Sequence, residues 1–97
     1  MAHFNGLTEA EAERLALLLE EMGEAQQAIG KILRHGYEST HPDGGPTNRE
    51  SLERELGDVQ AAINMLIDAR DLRQMEIDAA RLRKRKRVQQ YLHHQAV

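Results

Sequence analysis

The sequence predicts an all-α fold: a helical hairpin followed by a C-terminal helix, assembling with other copies into an oligomeric core like a four-helix bundle. Three observations carry this. Apolar residues recur at intervals of three and four over two long stretches. Both stretches open with Thr-x-x-Glu, the pattern in which a hydroxyl and a carboxylate satisfy otherwise orphan backbone N–H groups. Strand-like alternation is missing throughout. At 97 residues and 11.0 kDa the chain reads as a single domain, 1–97, too small for an enzyme with a cleft between two halves.

The first helix, predicted over 8–35, starts at Thr8-Glu9-Ala10-Glu11 and carries Leu15, Leu18, Leu19, Met22, Ala25, Ile29, Ile32 and Leu33 at helical spacing. Gly36 offers a left-handed stop. Residues 36–47 form a loop, because the Pro and Gly residues of His41-Pro42-Asp43-Gly44-Gly45-Pro46 cannot continue a helix. Thr47-Asn48-Arg49-Glu50 then launches a second helix over 48–70, with Leu52, Leu56, Val59, Ile63, Leu66 and Ile67 as its apolar set. A helical segment over 72–92 closes the chain. It has two apolar faces: Leu72, Met75, Ala79 and Leu82 lie nearly opposite Ile77, Val88, Tyr91 and Leu92. Such a helix is either sandwiched between two neighbours or broken near its basic run with the tail docked elsewhere; because three helices of this kind bury too little alone, a homodimer or homotetramer is expected.

Composition narrows the function. Without cysteine there is no disulfide framework, thiolate metal site or thiol nucleophile. Three aromatic residues, Phe4, Tyr37 and Tyr91, are too few for stacking on single-stranded nucleic acid. The apolar run Leu15 to Leu19 is too short to span a bilayer and no leader pattern precedes it, so a cytoplasmic location is expected. The net charge of −3 hides an asymmetry: residues 1–71 hold 6 Lys/Arg against 14 Asp/Glu, and residues 72–97 hold 7 against 2. An acidic body with a basic tail suits a polyanionic ligand that also needs cations.

The acidic residues have a pattern. Glu21/Glu24 and Glu55/Asp58 are each spaced i, i+3, which places each pair on one side of its helix. On a helical wheel both pairs sit about 100–110° from their apolar stripes, centred near Met22 and Ile29 and near Ile63, in the same rotational sense. An antiparallel hairpin then brings all four carboxylates to one side of the seam. Four such charges repel unless cations intervene, and hard divalent ions, Mg²⁺ or Mn²⁺, are the natural partners of oxygen ligands. Glu20 points away. Gly23 and Gly57, costly inside helices, predict close backbone approach where the helices meet.

Glu-Glu-x-x-Glu on one helix followed by Glu-x-x-Asp on the next, here Glu20-Glu21-Met22-Gly23-Glu24 and Glu55-Leu56-Gly57-Asp58, resembles the MazG-like all-α nucleoside triphosphate pyrophosphohydrolases. The similarity runs from Thr8 to about Leu72. It implies Mg²⁺- or Mn²⁺-dependent cleavage between the α and β phosphates, giving a nucleoside monophosphate and pyrophosphate, with Glu21, Glu24, Glu55 and Asp58 as metal ligands and catalytic groups. The connector departs from compact members, since thirty residues separate Glu24 from Glu55. The stretch from His41 to Asp58 and the closing Tyr91-Leu92-His93-His94 are similar to phage-type members, whose MazZ subset prefers guanine nucleotides such as (d)GTP.

A triphosphate also needs protein cations. Lys31 lies two turns beyond Glu24 on the same side, and Arg81, Lys84 and Arg85 share a face of the third segment, placed to clamp a departing pyrophosphate. Asn48 and Arg49 at the start of the second helix are further candidates, with ordinary capping as the alternative. Asn64 carries an amide suited to a base edge; His35 and His41 flank the loop. His93 and His94 point about 100° apart and cannot readily chelate one ion. No nucleophile triad, P-loop or dinucleotide glycine pattern is present. The expected chemistry is therefore direct attack on phosphorus by a water bound to one or two metal ions, with a motif carboxylate accepting the proton. The competing reading is a non-catalytic helical assembly module whose basic tail binds nucleic acid or an acidic partner, in which the four acids contribute little.

Overall fold

A computed structural model describes residues 5–95 and is helical with no strand among them; Phe4 lies outside the described residues. Helix α1 spans Glu9–His35, α2 spans Asn48–Asp68 and α3 spans Gln74–Arg87, after which Val88–Tyr91 form a single 3₁₀ turn. Both expected capping boxes are formed. The Thr8 N–H donates to Glu11 Oε1 at 2.8 Å while the Glu11 N–H donates to Thr8 Oγ1 at 3.1 Å, and Thr47 and Glu50 repeat this at 2.9 and 3.1 Å. Gly36 ends α1 with φ 88° and ψ 167°, a region essentially closed to other residues, and its N–H donates to the Ile32 carbonyl at 2.7 Å.

α2 stops two residues earlier than the sequence predicts. Its C-terminus is a Schellman turn: the Asp71 N–H reaches the Leu66 carbonyl and the Arg70 N–H the Ile67 carbonyl, both at 2.9 Å. The left-handed position of this turn, normally glycine, is Arg70, with φ 65°. Arg70→Gly is therefore expected to stabilise the chain by about 1 kcal/mol, read as a rise in the thermal midpoint. The turn hands Asp71 to Arg14, whose Nε and Nη2 donate to its two carboxylate oxygens at 2.7 and 3.1 Å. This partly buried pair ties the open end of the hairpin. Arg14 holds the Asp71 carboxyl below the usual aspartate range.

α1 and α2 pack antiparallel, but their shared core is thin. Among the described residues only Ala25, Ala28, Ala62 and Leu66 are buried, Leu66 completely. On the wheel Ala25 and Leu66 lie between the predicted apolar stripes and the acid pairs, while Ala28 and Ala62 lie at the angle of the acid pairs themselves, so the seam is turned by roughly 50–110° from the expected centres at Met22, Ile29 and Ile63. The stripe on α1 remains largely uncovered, with Leu19 at 74% and Leu33 at 82% exposure. The two-helix layer thus has an acidic front and an apolar back.

Gly23 and Gly57 correct another expectation. They do not mark close helix approach, because a Cβ built on either meets nothing within 4 Å. Both face open space within the chain.

α3 packs along neither helix of the hairpin; its neighbour is the 3₁₀ turn that follows it. The α-helix runs through the basic residues and changes to 3₁₀ geometry directly after Arg87. None of its residues is buried, and Met75 is 78% exposed. The chain is consequently extended, with a radius of gyration of 17.0 Å. A compact chain of this length has about 12–13 Å. No helix among the described residues is long and apolar enough to cross a membrane.

Candidate metal centre

The seam between α1 and α2 brings Glu21, Glu24, Glu55 and Asp58 together: one carboxylate oxygen from each lies within 4.8 Å of all the others. The i, i+3 spacing aims two acids from each helix at the same spot, and the antiparallel packing brings the two pairs level with each other. Glu20 is exposed and does not join them.

Two of these groups are in an unusual condition. Oε2 of Glu21 and Oε2 of Glu55 are sealed from solvent and have no hydrogen-bond partner. A buried, unpaired carboxylate oxygen is costly, because its lost hydration is not replaced. Burial raises the Glu55 carboxyl above the usual glutamate range, and its approach to Glu24, together with the charges of Glu24 and Asp58, pushes it the same way. Arg54 opposes this only weakly. No Lys or Arg of the described residues forms an ion pair with any of the four. The arrangement therefore fits a hard divalent cation, which supplies the missing partner for the orphaned oxygens and offsets the mutual repulsion.

The other candidates divide into three groups. Lys31 is exposed near the C-terminus of α1 and lines a cavity of about 470 Å³ at the closed end of the hairpin, together with Arg34, His35, His41, Asn48 and Ser51. Asn48 and Arg49 also hold the loop in place. The Asn48 amide donates to the Gly36 carbonyl at 3.0 Å, and Arg49 pairs with Glu38 at 2.6 and 3.0 Å while lying 4.4 Å above the centre of the Tyr37 ring. Asn64 is exposed on α2. Arg81, Lys84 and Arg85 are exposed on α3, with Arg81 3.8 Å from Asp78, and within one chain they do not pack against the hairpin that carries the carboxylates.

Two features escape a reading of the sequence. The Arg14–Asp71 pair joins residues 57 apart, and only opposite charges at the open end of the hairpin hint at it. The cavity depends on how a Pro- and Gly-rich loop folds back over α1, for which periodicity carries no signal. Compared with known protein families, with curated proteins and with solved structures, the chain matches none of them.

Proposed function

We propose that the chain is a divalent-metal-dependent nucleoside triphosphate pyrophosphohydrolase, cleaving between the α and β phosphates to give a nucleoside monophosphate and pyrophosphate. The observation that carries this reading is the carboxylate quartet with its two orphaned, solvent-sealed oxygens. The choice of substrate and of scissile bond rests on the resemblance of the two acidic motifs to MazG-like enzymes, which also makes guanine nucleotides the first to test.

Glu21, Glu24, Glu55 and Asp58 hold Mg²⁺ or Mn²⁺. When bound, the ion neutralises phosphate charge and makes water a better nucleophile near neutral pH. The protein supplies the rest. A quartet carboxylate accepts the proton of the attacking water, and the apolar seam excludes bulk water from one side of the site. Lys31, on the same face as Glu24, meets phosphate charge as it shifts toward the leaving pyrophosphate. The test is incubation of the protein with each canonical dNTP and Mg²⁺ or Mn²⁺. Pyrophosphate release supports the reading; orthophosphate release, or no turnover with any of them, overturns it.

The basic face of α3 serves the same substrate in this proposal, reaching the quartet from another copy in a homodimer or homotetramer. Replacing Arg81, Lys84 and Arg85 together by Ala is expected to raise KM or lower kcat for a dNTP by about tenfold, with less effect on binding of the monophosphate. Unchanged turnover with lost affinity for duplex DNA favours the alternative, an assembly module with a nucleic-acid-binding tail.

A further inference from the structure

We propose that the cavity at the closed end of the hairpin is a polyphosphate-binding subsite that takes the phosphates remote from the metal-held one; assigning these to a nucleotide substrate rests on the hydrolase reading above. Three features point to this. First, the cavity is cationic: Lys31 and Arg34 line it, neither forms an ion pair among the described residues, and no Asp or Glu of the described residues is part of its wall. Glu38, the acid nearest in sequence to the end of α1, is taken up by Arg49, and neither residue lines the cavity. Asp43 lies 3.5 Å from His41 Nδ1 but does not line the cavity, and the Asp43 N–H donates to the same nitrogen at 3.1 Å. That hydrogen bond places the imidazole proton on Nε2, where it is available as a donor.

Second, the cavity lies on the quartet's side of the hairpin. On α1, Lys31 and His35 follow Glu24 by seven and eleven residues, both close to whole numbers of helical turns. On α2, Ser51 precedes Glu55 by one turn and Asn48 precedes it by two. Two turns amount to about 10 Å along the axis, within the combined reach of a triphosphate chain and the long Lys31 and Arg34 side chains. Third, although Pro42, Pro46 and aliphatic carbons make up much of the wall, its polar groups are those of phosphate recognition: ammonium, guanidinium, imidazole and hydroxyl donors line one space. Tyr37 is covered by Arg49 and does not line the cavity, so among the described residues the only aromatic rings in its wall are the His35 and His41 imidazoles, which also carry N–H donors for phosphate oxygens.

The experiment uses the full chain without metal, so that the quartet cannot hold phosphate through an ion. Calorimetric titration with inorganic pyrophosphate at low salt is expected to show one site, weakened about tenfold or more in Lys31→Ala/Arg34→Ala and not weakened in Glu21→Gln, whose lost negative charge can only favour an anion. Ser51→Asp, which puts a carboxylate into the cavity, is expected to weaken it as well. On the unaltered protein, pyrophosphate should shift the His35 and His41 imidazole resonances. Unchanged affinity in both cavity variants, or imidazole shifts at neither His35 nor His41, overturns the proposal. A chain that binds pyrophosphate here yet hydrolyses no dNTP supports the cavity while removing the hydrolase reading, and active enzyme whose KM for a dNTP ignores the Lys31/Arg34 change overturns the cavity while leaving that reading in place.

Discussion

Glu21→Gln and Asp58→Asn are expected to lower pyrophosphate release by about a hundredfold or more, because a neutral amide is a much poorer ligand for a hard cation than a carboxylate. The metal-free variants should stay folded. In Glu21→Gln the orphaned oxygen is replaced by a neutral group beside three remaining acids, which relieves repulsion, so the thermal midpoint without metal should equal or exceed that of the parent. Adding Mn²⁺ should then raise the midpoint of the parent but not of the variant, since an ion stabilises only the state that binds it. Glu20→Gln, altering an exposed residue outside the cluster, is the control and should leave both readouts unchanged.

Acidification gives the same prediction a sign. The Glu55 carboxyl is raised by burial and by Glu24, so it takes up a proton at higher pH than an ordinary glutamate. Metal affinity should therefore fall as pH drops through a range above that of free glutamate, and the metal-dependent rise in midpoint should fade with it. If Glu20→Gln proves as damaging as Glu21→Gln, the assignment of ligands is wrong.

The second large effect concerns assembly. The parent chain is expected to sediment as a multiple of 11.0 kDa, and Leu19→Glu is expected to release monomers that have lost much of their helicity. The argument is one of area. The accessible surface is 8166 Å², whereas a compact 11 kDa protein exposes about 5,600 Å². The excess of about 2,500 Å² per chain is on the scale of an obligate homodimer interface. Much of it is apolar and faces one way, along Leu15, Leu19, Met22, Ile29 and Leu33 of α1 and Leu56 of α2. Four buried side chains among the described residues, three of them alanine, are a poor core for two helices of 27 and 21 residues. A second copy on the apolar back would complete a four-helix layer and leave the acidic front open to substrate. Sedimentation at micromolar concentration as a helical, active 11.0 kDa monomer would remove this idea.

Much of the fold was legible in the sequence because helix boundaries are local chemistry. Each Thr-x-x-Glu box satisfies backbone donors within four residues, and Gly36 stops α1 through its own backbone freedom. The i, i+3 spacing of Glu21/Glu24 and Glu55/Asp58, combined with an antiparallel hairpin, was likewise enough to name the quartet, since helical period and chain reversal fix which side chains share a face.

What periodicity could not decide was which face of each helix meets the other. It marked Met22, Ile29 and Ile63 as the centre of the core, by hydrophobicity alone. The tertiary structure chose Ala25, Ala28, Ala62 and Leu66, whose mostly small side chains let the helices pack closely, and so turned the larger apolar residues outward. For the same reason the detachment of α3 and the shape of the hairpin-end cavity were invisible: both depend on contacts between residues far apart in the chain, made or not made. The sequence by itself determined where α1 and α2 start, where α1 stops and which acids lie together. Only the three-dimensional packing decided that two of those acids hold buried, partnerless oxygens, because solvent exclusion depends on every neighbour of an atom and on no single spacing.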